Sequence, residues 1–304
     1  MRILFPSDSL SPRNVDDAFA AEAEAARACG WERGLVSYEA LTQGGSLEDL
    51  LVGVPRGGVP EKVVYRGWML RPEQYLRMNE ALQKQGLVLV TSPEAYAHGH
   101  HLPGWYDAVK AWTPRSVWTR AVGAGAEDEW MRLLEGWGDR PVLVKDFVKS
   151  RKHEWAEACF IPSARDRAAV SRVTRRFLEL QGEDLNEGLV FREYVELVPL
   201  EAHPRSGMPR VREFRVFVLG GRPLLVTPYW DDVDGMEAGP VVEAFAEAFA
   251  HVRSPFFTAD VAQRKDGTWT LIEIGDGQVS GLPERANLHT FFSELKSRLE
   301  PSSC

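Results

Sequence analysis

Short apolar runs alternate with helical segments over the first third of the chain, and this alternation most constrains its fold. The strand-like runs are Met1–Pro6, Gly34–Tyr38, Lys62–Met69 and Leu87–Thr91. The helical segments are Val15–Cys29, which ends at Gly30, and Pro72–Gln85, which ends at Gly86. Strands that alternate with helices of this length favour parallel pairing. The sequence therefore predicts a small N-terminal parallel α/β domain over residues 1–110.

The pattern changes after residue 110, where strands are joined in pairs by glycine-containing turns. Gly220-Gly221 and Asp266-Gly267 each separate two strand-like runs, which is typical of β-hairpins. The other predicted strands are Val142–Phe147, Cys159–Pro162 and Gly188–Val195, and the predicted helices are Asp128–Trp137, Arg165–Gln181 and Val241–Val252. The second part of the chain is therefore predicted to be α+β with antiparallel sheets.

The composition is that of a soluble globular protein. The chain has 304 residues, of which 26% are charged and 44% hydrophobic, and this length suggests about two domains. No stretch approaches the roughly 18 uninterrupted apolar residues of a membrane helix, and Pro6 ends the first apolar run too early for a signal peptide. We therefore expect a cytoplasmic location. The 44 acidic against 36 basic residues disfavour nucleic-acid binding over the whole surface, but a local basic groove stays open.

Lys145 interrupts the apolar strand Val142–Phe147, and Lys149, Arg151 and Lys152 follow in the next loop. A lysine is almost never buried without a partner, because it is costly to remove an ammonium group from water. A bound polyanion such as a phosphate chain would supply that partner. The alternative is an edge strand from which Lys145 points into solvent.

Asp260 and Glu273 lie in the two strands that flank the Asp266-Gly267 turn, at similar distances from it. They could face each other across an antiparallel pair, where two carboxylates need a shared proton or a cation. Mg²⁺ accepts one or two carboxylates together with phosphate oxygens. Two alternatives stay open: the register turns one carboxylate outward, or Asp260 pairs with an arginine such as Arg215.

Two further strands carry arginines among apolar residues. Arg192 lies in Val190–Glu196, and alternation places Arg215 on the same strand face as Glu213. The planar guanidinium suits carboxylate or phosphate oxygens, so a ligand role is open. An internal ion pair of Arg215 with Glu213 or Glu193 is the alternative.

Taken in order, these segments resemble the ATP-grasp superfamily. The shared order is a lysine-bearing strand with a flexible loop, a hinge strand, an arginine-bearing strand, and terminal strands with metal-binding acids. The resemblance covers about residues 110–295 and implies a two-lobed ATP-grasp domain at 111–304, with lobes at about 111–190 and 191–304, after the small α/β domain that usually precedes it. The chain is most similar to the clade named for two arginines and a lysine, which we match to Arg192, Arg215 and Lys145.

The resemblance implies that ATP and Mg²⁺ are bound and that the three clade residues are catalytic. Lys145 would contact the α- and β-phosphates, Arg215 the γ-phosphate or the acyl oxygen, and the Val148–His153 loop would close over the triphosphate. The residues implied for phosphate, adenine and ribose contacts are Lys149 and Lys152, then Glu193, Tyr194 and Val195, and then Glu196 or Glu201. The implied magnesium ligands are Asp260 and Glu273.

Two departures from the superfamily pattern concern the predicted ligand-binding residues. Gly275 replaces the asparagine expected two residues after the final metal-binding glutamate, and Asp276 is the adjacent carboxylate that could substitute for it as a metal ligand. The second nucleotide-binding lysine is missing from Cys159–Pro162, so Lys149 or Lys152 would have to compensate.

The resemblance thus implies an ADP-forming ligase that activates a carboxylate as an acyl phosphate and joins it to an amine or similar nucleophile. An amino acid or peptide is the favoured substrate, with RNA a second candidate. One alternative is nucleotidyl or phosphoryl transfer to RNA or protein, aided by the basic Arg165–Arg176 stretch. Another is a non-catalytic ATP-binding module.

Overall fold

The structure is a computed structural model that describes residues 1–54, 60–201, 210–230 and 239–300. Its strands are β1 (Arg2–Pro6), β2 (Glu32–Val36), β3 (Leu51–Val52), β4 (Glu61–Tyr65), β5 (Leu87–Leu89), β6 (Ser116–Thr119), β7 (Val142–Asp146), β8 (Phe160–Ile161), β9 (Leu189–Glu193), β10 (Pro199–Leu200), β11 (Arg210–Val211), β12 (Glu213–Leu219), β13 (Arg222–Pro228), β14 (Phe256–Gln263) and β15 (Trp269–Asp276).

The α-helices are α1 (Ala20–Ala28), α2 (Tyr38–Thr42), α3 (Pro72–Gln83), α4 (Pro93–His100), α5 (Leu102–Val109), α6 (Glu127–Leu133), α7 (Trp155–Ala158), α8 (Arg167–Gln181), α9 (Gly239–His251) and α10 (Leu288–Leu299). Local signals set their starts: Pro72 occupies the first turn of α3, and Asp166 caps α8 by accepting a hydrogen bond from the Ala169 N–H. Among the described residues, no helix is long and apolar enough to cross a membrane.

The chain divides into two compact units, each made of discontinuous segments. The first unit comprises Met1–Gly99, Phe214–Ala259 and Ile274–Cys304, and the second comprises His100–Glu213 and Asp260–Glu273. The domain boundary near residue 110 and the lobe limits stay predictions.

The first unit contains a five-stranded sheet in the order β3-β2-β1-β4-β5. β1 pairs in parallel with β2 and β4, β4 pairs in parallel with β5, and β3 is antiparallel to β2. Leu4 of β1 packs in the apolar cluster that contains Tyr75, whereas its neighbours Ile3 and Phe5 pack in the cluster that contains Phe291. The sheet is therefore buried on both faces, as expected for parallel strands.

The second unit contains an antiparallel four-stranded sheet in the order β6-β9-β7-β8. Val142 and Val144 of β7 pack with Phe177 of α8 in one apolar cluster. Because side chains alternate along a strand, Lys145 points to the opposite face of this sheet, and Asp146 to the face of the two valines.

A second four-stranded sheet has the order β13-β12-β14-β15. Gly220 and Gly221 connect β12 to β13 with φ angles of 58° and 74°, a conformation that favours glycine and suits a two-residue hairpin. Gly267, with φ 88°, lies in the short connection between the neighbouring strands β14 and β15. Both predicted hairpins are confirmed.

The predicted fold class is confirmed, but the sequence pattern did not reveal α4, α5, α10 or β6. The first two helices contain Gly99 and Gly104, which disfavour helix in isolation, and they bury Tyr96 and Trp105. Tertiary packing therefore overrides propensity in α4 and α5. By contrast, α10 has a readable start, because the Asn287 side chain accepts a hydrogen bond from a backbone N–H of the first turn.

Candidate functional site

Lys145 lies on β7, which is a central strand between β9 and β8. Its side chain is 11% exposed, and its Nζ donates to Glu273 Oε1 at 2.6 Å and to the Val148 carbonyl at 3.0 Å. The edge-strand alternative is therefore excluded. The buried ammonium is compensated by a carboxylate and a carbonyl of the second unit.

Glu273 is held in its charged form by neighbouring cations. Burial alone would raise the pKa of its carboxyl, but the charges of Lys145, Lys152 and Arg192 and the hydrogen bond from Lys145 outweigh it. The pKa of Glu273 therefore lies below its usual range, and the carboxylate is ionised at neutral pH.

Arg192 of β9 is buried, and one terminal nitrogen of its guanidinium donates to three acceptors of the protein. Its Nη2 donates to Thr113 Oγ1 at 2.7 Å and to the carbonyls of Leu271 and Ile272 at 3.2 and 2.8 Å. Burial lowers the pKa of Arg192 to about 10, while Glu273 acts in the opposite direction. These bonds hold the β15 main chain directly before Glu273, and the catalytic role of Arg192 stays a prediction.

The segment that follows β9 has backbone N–H and carbonyl groups that are not hydrogen bonded within the described residues. The N–H groups of Glu193 and Tyr194 donate to the carbonyls of Arg115 and Pro141 at 2.8 and 3.1 Å. Within the described ranges, the Tyr194 carbonyl and the N–H and carbonyl of Val195 have no hydrogen-bond partner. The Tyr194 carbonyl and the Val195 N–H belong to one trans peptide group and point in opposite directions, so they serve different partners. An unpaired N–H and an unpaired carbonyl are the kinds of backbone group that bond an adenine edge, which presents an N–H donor beside a ring-nitrogen acceptor.

The other residues predicted to contact ATP lie at the surface. Lys149 and Lys152 are exposed on the loop after β7, where Lys152 begins one 3₁₀ turn. Glu196 is exposed with its carboxylate 3.2 Å from Lys265 Nζ, and Glu201 is exposed after β10. The lysine side chains are accessible to an anion from solvent.

Asp260 and Glu273 lie on the neighbouring strands β14 and β15, and Asp260 is buried at 6% exposure. The described part of the chain contains no group of three or more His, Cys, Asp or Glu side chains that could hold a metal ion. Mg²⁺ needs only one or two protein carboxylates when phosphates complete its shell, so this donor pair fits the ion by its chemistry. That the two carboxylates face each other stays a prediction.

Asp276 and Glu273 are three positions apart on β15, so alternation directs them to opposite faces of the strand. Asp276 is 1% exposed, and its Oδ1 accepts from the N–H and Nε2 of Gln278 at 2.9 and 3.2 Å. Burial raises the pKa of Asp276 to about 7, against the opposing effect of the bonds from Gln278. The role of Asp276 as a substitute magnesium ligand stays a prediction.

Gly275 has no room for the asparagine that the superfamily places there. A Cβ atom at this position would lie 2.9 Å from Thr258 Oγ1 and 3.1 Å from Ser280 Oγ. These two hydroxyls are hydrogen bonded to each other at 2.8 Å. A side chain at position 275 would therefore require Thr258 to shift within the first unit.

Arg215 belongs to the first unit, on β12. Its Cζ lies 4.7 Å from the centroid of the Tyr229 ring, and its Nη1 donates to the Gly281 carbonyl at 3.2 Å. The contact of Arg215 with a γ-phosphate or an acyl oxygen stays a prediction.

Residues 134–295 match the ATP-grasp domain, R2K clade family 3, and this match spans more than half of the chain. The chain belongs to this ATP-grasp family. The resemblance drawn from Lys145, Arg192 and Arg215 is thereby confirmed at the level of the family. No curated protein sequence matches the chain.

Three solved structures share the fold over nearly the whole chain. D-cycloserine synthetase DcsG is 17% identical with a TM-score of 0.60, over 99% of this chain and 100% of that one. ATP-grasp ligase PsnB, in complex with a precursor variant, Mg and ADP, is 13% identical with a TM-score of 0.58, over 97% and 96%. Macrocyclase MdnC from Microcystis aeruginosa MRC, bound to precursor peptide MdnA, is 10% identical with a TM-score of 0.55, over 98% and 100%. At these identities the likeness concerns the fold.

Two buried titratable side chains of this ATP-grasp protein, His100 and Asp146, are absent from the predicted site residues. Burial lowers the pKa of His100 to about 3, so the imidazole is neutral at pH 7. The charge of Glu273 opposes this shift, and the charges of His101, Lys149 and Lys145 add to it. Asp146 is fully buried. An acidic residue at the end of an apolar strand, directly after a lysine, is the signal that could have identified Asp146.

Proposed function

We propose that this ATP-grasp protein is an ATP- and Mg²⁺-dependent ligase that activates a carboxylate and joins it to an amine or similar nucleophile. The observation that carries the proposal is the part-buried ion pair of Lys145 and Glu273 in the second unit. The same unit carries the unpaired backbone groups of Tyr194 and Val195. A cation for phosphate, a carboxylate for magnesium and unpaired backbone groups for adenine correspond to the three parts of a magnesium–nucleotide complex.

Each residue has a defined part in this proposal. Lys145 exchanges its Glu273 partner for the α- and β-phosphates, and Lys149 and Lys152 contact the triphosphate from the loop. Glu273 and Asp260 then hold Mg²⁺, which neutralises phosphate charge when bound. Arg192 keeps β15, and with it Glu273, in place.

The remaining proposed contacts involve the hinge and the first unit. Tyr194 and Val195 bond the adenine edge with their backbone groups, next to the carboxylate of Glu193, and Glu196 or Glu201 binds the ribose hydroxyls. Arg215 stabilises the γ-phosphate or the acyl oxygen.

The proposed reaction has two steps. An oxygen of the substrate carboxylate attacks the γ-phosphorus, the bond to the β–γ bridging oxygen breaks, and ADP leaves. The nucleophile then attacks the acyl carbon of the acyl phosphate, and inorganic phosphate leaves. Alignment of the carboxylate with the γ-phosphate and exclusion of water from the acyl phosphate are the main tasks of the protein.

We favour an amino acid or peptide as substrate, because proteins with this fold include a D-cycloserine synthetase and ligases bound to precursor peptides. The basic 165–176 stretch lends little support to RNA as a partner, because four of its five arginines are paired with acids. The pairs are Arg165 with Asp139, Arg167 with Asp128, Arg175 with Glu127 and Arg176 with Glu179. Such a surface has little unpaired charge for a polyanion.

The test is magnesium-dependent ATP consumption with pooled amino acids, short peptides and RNA, with ADP, AMP and phosphate separated by chromatography. Wild-type protein is compared with Glu273→Gln, which keeps an acceptor for Lys145 but loses the charge that binds magnesium. The control is Glu294→Gln, a partly exposed glutamate of α10 that pairs with Arg298. We expect acceptor-stimulated ADP and phosphate from the wild type and the control, and at least about a hundredfold less from Glu273→Gln.

Other outcomes decide between the alternatives. Formation of AMP would favour nucleotidyl transfer. Magnesium-dependent nucleotide binding without turnover in any pool would favour a non-catalytic module. Equal turnover by wild type and Glu273→Gln would refute the assigned site.

A further inference from the structure

The loop after β7 begins on a buried carboxylate. Asp146 is 0% exposed and shares its strand face with Val142 and Val144, which belong to the apolar core of the second unit. A carboxylate in such a place must be fully hydrogen bonded, because an unpaired buried charge is strongly destabilising.

Donors from three segments meet this carboxylate. Oδ1 accepts from the N–H of Val148 at 2.7 Å and from the N–H of Lys149. Oδ2 accepts from Gln181 Nε2 at 2.8 Å and from the N–H and Nδ2 of Asn186 at 3.2 and 2.9 Å. One oxygen therefore holds the start of the loop, and the other holds the end of α8 and the segment before β9.

The same turn supplies an acceptor to Lys145. The Val148 N–H donates to Asp146, and the Val148 carbonyl accepts from Lys145 Nζ at 3.0 Å. The Asp146 N–H in turn donates to the Lys149 carbonyl at 2.9 Å. The position of the Lys145 ammonium is thus coupled to Asp146 through one residue, Val148.

The loop is also held at its far end. Arg151 Nε donates to Gln181 Oε1 at 2.6 Å, and Arg151 Nη2 donates to the Leu180 carbonyl. Gln181 therefore bonds to both Asp146 and Arg151. The loop lysines Lys149 and Lys152 are accordingly presented from a turn whose two ends are fixed to α8.

We propose that Asp146 is a positioning residue of the nucleotide site, which sets the Val148–Lys149 turn and, through the Val148 carbonyl, the ammonium of Lys145. This inference rests on the proposed function, because it assigns Asp146 to the phosphate-binding part of that site. Its role needs a carboxylate specifically. All five groups that bond to it are N–H donors, so an asparagine amide would turn its own N–H groups toward at least two of them.

The test compares Asp146→Asn with a matched control. Asp166→Asn makes the same substitution at the exposed cap of α8, where one side-chain oxygen accepts from the Ala169 N–H and asparagine serves equally well. Three quantities are measured on each folded protein: backbone amide exchange at Val148 and Lys149 without nucleotide, the affinity for ADP in the presence of Mg²⁺ by calorimetry, and the melting temperature.

We expect Asp146→Asn to lose protection at Val148 and Lys149 and to bind ADP about tenfold to a hundredfold more weakly than wild type. The control should match wild type in both measurements. A purely structural role would lower the melting temperature of Asp146→Asn and leave the ADP affinity of its folded fraction unchanged, and this result would overturn the proposal. Unchanged amide exchange would overturn it as well.

A second variant keeps the test decisive if Asp146→Asn does not fold. Gln181→Met removes one donor from Oδ2 and leaves both bonds to Oδ1, so Val148 and Lys149 should keep their amide protection. Loss of that protection would show that α8, not Asp146, holds the turn. If wild-type protein binds no ADP, the proposed function fails, whereas a wild type and an Asp146→Asn variant with equal ADP affinity would refute the positioning role alone.

Discussion

Replacement of Asp276 by asparagine should stabilise the folded protein at pH 8 and weaken the pH dependence of its stability. The carboxyl is buried, its Oδ2 has no hydrogen-bond partner within the described ranges, and burial raises its pKa to about 7. In an unfolded chain the pKa of aspartate is about 4. Because the folded pKa is the higher one, the native state binds the proton more tightly. The resulting stability is complete below about pH 4 and is lost as the pH rises through about 7.

The magnitude follows from the two pKa values. A difference of about 3 between them corresponds to about 4 kcal/mol, since each unit is worth about 1.4 kcal/mol. Asparagine has nearly the shape of the neutral acid, can accept from Gln278 and carries no charge at any pH. We therefore expect wild type and Asp276→Asn to have similar free energies of unfolding near pH 4, and the variant to exceed wild type by up to about 4 kcal/mol at pH 8.

The assay is urea denaturation followed by fluorescence at several pH values between 4 and 8. Asp107→Asn is the control, because Asp107 is an exposed residue of α5. Its curve of stability against pH should parallel that of wild type. An Asp276→Asn variant whose stability falls with pH as steeply as that of wild type would refute the reasoning, as would a variant that is less stable at pH 8.

Three further outcomes are expected. Arg192→Lys should lower the free energy of unfolding by about 3 kcal/mol, because a lysine cannot bond Thr113 and the carbonyls of β15 with a planar fork; a urea midpoint equal to that of wild type would contradict this. Glu187 has a φ of 64°, so Glu187→Gly should be neutral or stabilising by up to about 1 kcal/mol, and a drop in melting temperature would argue against strain there. Burial raises the pKa of the Cys159 thiol to about 11, so Cys159 in the folded protein should resist iodoacetamide at pH 8; peptide mapping that finds it alkylated as fast as in urea would exclude this.

Elements with strong local signals could be predicted from the sequence. The two glycine turns at Gly220-Gly221 and Asp266-Gly267 were found because few residues adopt the left-handed backbone that short hairpins need. The predicted helix Arg165–Gln181 ends at the same residue as α8 and begins two residues before it, because the pattern of a helical segment is a local signal. By contrast, α4 and α5 form because Tyr96 and Trp105 are buried, a stabilisation that appears only when the rest of the unit is present.

In the candidate site, too, some residues could be predicted from local sequence and others depend on tertiary contacts. Lys145 could be predicted as a site residue because a cation in an apolar strand needs a partner. In the structure that partner is Glu273, 128 positions later in the chain. The sequence left open whether Lys145 faces solvent. The order of strands in the sheet makes β7 central, and that order cannot be predicted from the residues of β7 alone. Asp146 was not predicted as a site residue, because the groups that donate hydrogen bonds to it come from residues up to 40 positions away in the chain.

The sequence alone determined residue chemistry and local geometry: which strands carry charges, where the chain turns, and that the segments follow the order of an ATP-grasp domain, which the family match confirms. Only the tertiary structure decided the partners. It paired Lys145 with Glu273, engaged Arg192 with β15, buried Asp276 beside Gln278 and placed two hydroxyls next to Gly275. The physical reason is that the free energy of a buried charge depends on neighbours brought together by folding, whereas turns and strand alternation depend on residues adjacent in the chain.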